Sequence, residues 1–287
     1  MKKIFNLIII FTISIFLTGC LKNDTMEDIT IYTTVYPIEY ITDRLYSDYS
    51  TINSIYPDGV NVNEYTLTSK QLKDYSDSEL LIFNGLNEEK EYVTKFFKNN
   101  KNIKIVDATN SMEMDYRMEE LWLNPSNFLM IAQNIKNGLF EYLTNNYIKN
   151  TIEKNYKELK MEVSKLDASL TNITENTNNK TIIIADDSLN FLEKYGFNII
   201  SIDKNSSTDK KIADAKELLS NNTCSCIFAL NNDEIEDYIK EILENDNVKI
   251  TYLHNLSNIT EEERYNKENY LTIMSDNIEL IRTELYK

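Results

Sequence analysis

A few groups of side chains in this 287-residue chain are of types that do chemistry. Two are acidic pairs, Glu119-Glu120 and Asp186-Asp187. Adjacent carboxylates can share a proton and serve acid–base work, or they can be solvated loop charge. A third is Cys224-Ser225-Cys226. Side chains at i and i+2 of a strand point the same way but sit too far apart for an easy disulfide. That leaves two thiols buried beside the strand Cys226 to Leu230, or a soft-metal pair that lacks further cysteine partners. The fourth is His254, the one histidine in the chain. Glu261-Glu262-Glu263 reads as a solvated helix start. No glycine-rich phosphate loop, Ser-His-Asp spacing or zinc-finger pattern accompanies these groups, so the chain is not expected to be an enzyme.

The first residues suggest where these groups would work. Met1-Lys2-Lys3 is a short positive segment, and Ile4 to Leu17 is apolar except for Asn6, Thr12 and Ser14. Leu17-Thr18-Gly19-Cys20 follows. The apolar run is short for a membrane span, which needs about 20 residues, and the order is that of a secretory signal. Leu-Thr-Gly-Cys resembles the bacterial lipobox. Residues 1–19 are therefore expected to be a signal peptide, Cys20 to carry lipid, and 20–28 to form a tether. Two acyl chains anchor a protein stably where one does not. The alternative is an uncleaved signal anchor. The expected location is the outer face of the bacterial cytoplasmic membrane.

The formal charge is −16, or −18 once Lys2 and Lys3 are removed with the signal. Such a surface disfavours nucleic acid and anionic lipid as partners. A monomer is expected.

Around the candidate groups the chain alternates strand and helix. Ile29 to Tyr36 is rich in β-branched and aromatic residues and reads as a strand ended by Pro37. Ile38 to Leu45 reads as a helix, Thr51 to Tyr56 as a strand, Ser69 to Ser76 as a helix and Glu79 to Phe83 as a short apolar strand. Glu88 to Lys98 and Ile103 to Val106 continue the pattern. From Ser126 strand signals stop, and apolar residues recur at three- and four-residue steps in two long runs divided near Asn145-Asn146. Strands are expected again at Thr181 to Ala185, Asn198 to Ile202, Cys226 to Leu230 and Val248 to Leu253. Helices are expected at Ser188 to Tyr195, Lys210 to Leu219, Asp233 to Leu243 and Tyr270 to Leu285. The fold class is α/β: an N-terminal lobe at 29–145, a linking helix at 146–176 and a C-terminal lobe at 177–287. Each lobe would be a mostly parallel sheet covered by helices, joined by a long rigid helix. Ligand in such a protein sits between the lobes, at the carboxyl ends of the strands.

Five patches, in order, carry a family resemblance. They are Thr33-Thr34-Val35-Tyr36-Pro37, the turn from Pro57 through Thr66, Ser78 through Leu86, Leu121 through Pro125, and Asn269 through Asn277. Together they are similar to the zinc- and manganese-binding solute-binding lipoproteins of ABC importers. The resemblance implies an extracytoplasmic receptor that docks on an ABC permease and carries a divalent ion, Mn or Zn, as its transported ligand.

The ligand positions depart from that family. Its first histidine falls on Asn63 and its second on Glu120. Its third falls on Ala185, or one place off on Asp186. A family glutamate falls on Leu230, and the last acidic ligand falls on or beside His254. Two readings follow from the resemblance. In one, Asn63, Glu120, Asp186 and His254 rebuild a harder, oxygen-rich site suited to Mn²⁺ or Ca²⁺. In the other the metal site is lost, and the scaffold binds another small solute or serves as a surface lipoprotein in adhesion or an accessory role.

Overall fold

The computed structural model describes residues 26–230, 235–245 and 247–286. The signal segment, Cys20 and most of the tether lie outside the described residues.

Two four-stranded parallel sheets organise the chain. The first contains β1 (Ile29–Thr33), β2 (Ser50–Ser54), β3 (Leu80–Phe83) and β4 (Lys104–Asp107), in the order β2-β1-β3-β4. The second contains β5 (Thr181–Ile184), β6 (Asn198–Ser201), β7 (Ile227–Leu230) and β8 (Ile250–Leu253), in the equivalent order β6-β5-β7-β8. All pairings are parallel. The central strands β3 and β7 are buried at all four positions, as strands covered on both faces must be. That burial explains why they read as unbroken apolar runs.

Helices α1 (Tyr36–Tyr46), α2 (Ser69–Ser76) and α3 (Lys90–Asn99) connect the first sheet's strands. Pro37 does not end the first strand as expected. β1 stops at Thr33 and Pro37 sits in the first turn of α1, where its missing N–H costs nothing and its fixed φ suits a helix. A short helix, α4 (Glu120–Leu123), leads into α5 (Pro125–Tyr142) and then α6 (Asn146–Glu175). The 30 residues of α6 span about 45 Å. Its buried stripe runs through Ile148, Ile152, Tyr156, Leu159, Val163, Leu166, Leu170 and Ile173, the three- and four-residue steps of a core-facing helix.

In the second half, α7 (Asp209–Ser220) and α8 (Ile235–Leu243) flank the sheet, and α9 (Glu261–Tyr265) and α10 (Tyr270–Leu285) close the chain. The segment expected as a helix from Ser188 is a 3-10 helix over Asp187–Tyr195, closed by Gly196 at φ +88°. Asp186 caps it by accepting from the Ser188 N–H at 2.8 Å. One apolar core runs through both lobes, from Ile31 and Phe128 through Tyr270 to Ile184 and Leu253. A smaller cluster, including Ile183, Ile227 and Ile239, lies under α7 and α8. No described helix is long and apolar enough to cross a membrane.

Candidate solute cleft

A cavity of about 710 Å³ opens where segments from both lobes meet. Its walls are the loop after β2 (Gly59 to Glu64), Arg117 and Glu119 ahead of α4, Asp186 after β5, Leu230 at the end of β7, and residues of the loop from His254 to Thr260 after β8. Most of these positions follow the carboxyl end of a strand, where open parallel sheets bind ligands.

The loop after β8 is stitched into the first lobe. The Asn258 side-chain amide donates to the carbonyls of Pro57 (2.7 Å) and Val60 (3.0 Å). The Gly59 N–H donates to the Ile259 carbonyl at 2.8 Å, and the Tyr36 N–H to that of Ser257 at 3.1 Å. The Trp122 indole donates to the Asn255 carbonyl at 2.7 Å. Beyond the loop, the Arg264 fork takes both oxygens of Asp58 (2.7 and 2.8 Å) and also reaches Glu39.

Three of the four expected ligand positions reach this cavity: Asn63, Asp186 and His254. Glu120 does not. It is 6 % exposed, and its carboxylate accepts from the Tyr116 N–H at 3.3 Å. The carboxylate that faces the cavity is its neighbour Glu119, which receives the Ser257 hydroxyl at 3.4 Å. Consecutive helical residues point about 100° apart, so a one-residue difference turns the side chain out of the site. Burial, reinforced by the charge of Asp186, holds the Glu119 carboxyl above its ordinary range. Burial also pushes up Asp186, against the hydrogen bonds from Ser188 and the charge of Arg117.

His254 is fully engaged. Its Nδ1 accepts from the Leu256 N–H at 2.9 Å, and its Nε2 lies 3.2 Å from a Glu263 carboxylate oxygen. An imidazole with Nδ1 as acceptor carries its proton on Nε2 and donates it to Glu263. Neither nitrogen has a lone pair to offer a metal. The Nδ1 contact supports a turn in which Leu256 adopts φ +60°, a conformation disfavoured for a side chain with a Cβ. Burial lowers the affinity of His254 for a second proton, and Glu263 only partly opposes this.

Both nitrogens of the one imidazole at the expected positions thus face partners within the fold. Among the described residues no cluster of three or more His, Cys, Asp or Glu side chains is placed to hold a metal ion. The Cys-Ser-Cys pair is no exception. Cys224 and Cys226 are unbridged and buried, and burial pushes the Cys224 thiol up to about 11, so it stays protonated at neutral pH. Tyr36 and Tyr56 are buried, and Tyr32 stacks on Tyr75.

Sequence alone does not single out Arg117 or Asp203, and it reads Glu263 only as part of a solvated helix start. Arg117 follows no motif, Asp203 sits one residue beyond an expected strand end, and Glu263 belongs to a glutamate run that resembles a solvated face. Glu263 in fact caps α9 with Thr260 as well as meeting His254.

Comparison with known proteins fits this architecture. The chain is 29 % identical over 185 residues to the manganese ABC transporter substrate-binding lipoprotein PsaA of Streptococcus pneumoniae, covering 58 % of this chain and 59 % of that one. It is 23 % identical over 315 aligned positions to the zinc-binding lipoprotein AdcA of the same species, covering 98 % of this chain and 61 % of that one. The chain thus matches about three fifths of each relative's length. The crystal structure of the Zn(II)-bound ZnuA-like domain of S. pneumoniae AdcA superposes with a TM-score of 0.72 at 20 % identity, covering 91 % of this chain and all of that one. The model of the family described as zinc-uptake complex component A, periplasmic (ZnuA), matches residues 31–284, and this chain belongs to that family.

Proposed function

We propose that this protein is the extracytoplasmic solute-binding component of an ABC importer, and that its cleft has lost the family's metal site and receives a small polar solute. The observation that carries this reading is the saturation of His254: the only imidazole in the chain spends both nitrogens on the fold. Zinc and manganese sites depend on imidazole nitrogen alongside oxygen donors, and nothing here replaces it. The cavity volume supports a larger ligand, since about 300–1,000 Å³ is the range of small-molecule sites. Its lining is rich in amides and carboxylates, such as Asn61, Asn63, Asn255 and Glu119. Family membership and the names of PsaA and AdcA support an ABC permease as partner. The order of charge, apolar run, small residues and Cys20 supports a lipid anchor on the outer face of the cytoplasmic membrane.

Thermal unfolding of the full chain in detergent, with and without Zn²⁺, Mn²⁺ and a panel of amino acids, sugars and polyols, tests this. A cleft ligand at about a hundred times its Kd stabilises by about 3 kcal/mol and raises the Tm by several degrees. The reading expects that rise from a polar solute and none from the metals. A rise of that size with micromolar Mn²⁺ or Zn²⁺ would overturn it.

A further inference from the structure

Arg117 joins the two lobes inside the cleft. It lies between β4 and α4 in the first lobe, and its guanidinium reaches carboxylates of the second. Nη2 is 2.7 Å from Oδ2 of Asp203, and Nη1 is 3.7 Å from Oδ2 of Asp186. Asp203 is 1 % exposed and held from behind: Oδ1 accepts from the Asn205 N–H at 2.8 Å and Oδ2 from the Asp187 N–H at 3.2 Å. Asp186 is fixed by the Ser188 N–H. Both carboxylates are therefore in place independently of what faces them, and what faces them is a permanent cation. The Arg117 side chain lines the cavity and is 38 % exposed.

We propose that Arg117 is the cleft's built-in counter-cation, a specificity-determining residue that occupies the charge position a divalent ion would take and thereby bars such ions. The inference rests on the reading that the family metal site is lost, and it gives that loss a cause beyond the missing histidines. A planar fork can serve two carboxylates at once and cannot be deprotonated in a protein, so the exclusion operates at every physiological pH. A divalent ion entering beside Asp186 must approach this fixed positive charge at close range, where like charges repel most strongly. With Arg117 in place the carboxylates of Asp186 and Asp203 are compensated, and Glu119 alone does not make a cation site.

The test is calorimetric titration of the full chain in detergent with Mn²⁺ and Ca²⁺, comparing wild type, Arg117→Gln and Asp203→Asn. Arg117→Gln leaves Asp186, Asp203 and Glu119 without a counter-charge. It is expected to bind Mn²⁺ or Ca²⁺ at least roughly tenfold more tightly than wild type, about 1.4 kcal/mol. Asp203→Asn cuts the same ion pair but leaves the guanidinium in the cleft, and is expected to gain nothing. Equal gains in both variants would mean that the effect is loosening of the cleft, and would overturn the assignment. So would a folded Arg117→Gln chain that binds no better than wild type. If Arg117→Gln does not fold, Arg117→Met, which removes the charge but keeps a long side chain, decides by the same readout: a gain of similar size is expected, and no gain overturns the assignment. Tight Mn²⁺ binding by the wild type would instead sink the functional reading beneath it, and the two failures are distinguishable.

Discussion

The Tyr270 hydroxyl donates to the main-chain carbonyl of Trp122 at 2.7 Å, joining the start of the last helix to the short helix that borders the cleft. The Tyr270 ring lies flat against Phe128, with centroids 3.7 Å apart and planes 9° from parallel, and packs against Tyr40 on another side. Trp122 in turn donates to Asn255 in the loop after β8. One buried tyrosine thus ties α5, α10 and, through Trp122, the cleft loop.

Tyr270→Phe removes only the hydroxyl and leaves a buried carbonyl with one partner fewer. It is expected to cost about 1–2 kcal/mol. Tyr270→Ala also opens a cavity under Phe128 and is expected to cost about 3–5 kcal/mol. Urea unfolding of the two variants checks both values. Equal costs would mean that the ring contributes nothing beyond its hydroxyl.

Glu89 is a buried acid beyond the carboxyl end of the central strand β3. Its carboxylate accepts from the Asn84 N–H at 3.1 Å and from the Tyr56 hydroxyl at 3.4 Å. Burial outweighs these bonds and raises its pKa from 4.5 to about 6. The folded state therefore holds this proton more tightly than the unfolded state. The stability it contributes is fully present below pH 4.5 and is lost as pH rises through about 6. A difference of this size amounts to about 2 kcal/mol. Wild type is expected to lose that much between pH 4.5 and pH 7.5 relative to Glu89→Gln. Parallel pH profiles for the two proteins in urea unfolding would contradict the assignment.

His254 holds a turn. Its Nδ1 receives the Leu256 N–H where Leu256 has a positive φ, and its own N–H and C=O are both bonded to the Asn277 side chain. His254→Ala leaves the Leu256 N–H and the Glu263 carboxylate without this partner and is expected to cost about 1–3 kcal/mol in chemical denaturation. His254→Asn, whose Oδ1 can accept from a backbone N–H two residues on, is expected to recover part of that loss. A metal ligand would behave differently: both variants would fold normally and differ only in metal-dependent stability.

Much of the scaffold was legible because burial writes simple patterns. The stripe of α6 and the apolar runs of β3 and β7 follow from faces that must be covered. Where two local conformations compete the sequence is less informative. Pro37 is compatible with ending a strand or starting a helix, and the turns after Asp186 form a 3-10 helix. Position along the family pattern points to Asn63, Asp186 and His254, which line the cavity, but does not separate Glu119 from Glu120. Which of two adjacent side chains turns inward depends on where α4 begins. Arg117 left a fainter signal. The chain uses four arginines among 30 basic residues, and three of them, Arg44, Arg117 and Arg264, pair with carboxylates on distant elements. Where lysine is the default cation, an arginine marks a place that needs a planar fork. Its partners, like the His254–Glu263 contact, come together only in three dimensions.

We propose that this member of the zinc-uptake family holds no divalent ion in its cleft. Isothermal titration of Zn²⁺ and of Mn²⁺ into the wild-type full chain, freed of metal by prior dialysis against a chelator, tests it most directly. The predicted result is no saturable heat corresponding to a Kd tighter than about millimolar. A one-site isotherm at micromolar affinity or tighter, abolished by His254→Ala or Asp186→Asn, would contradict it.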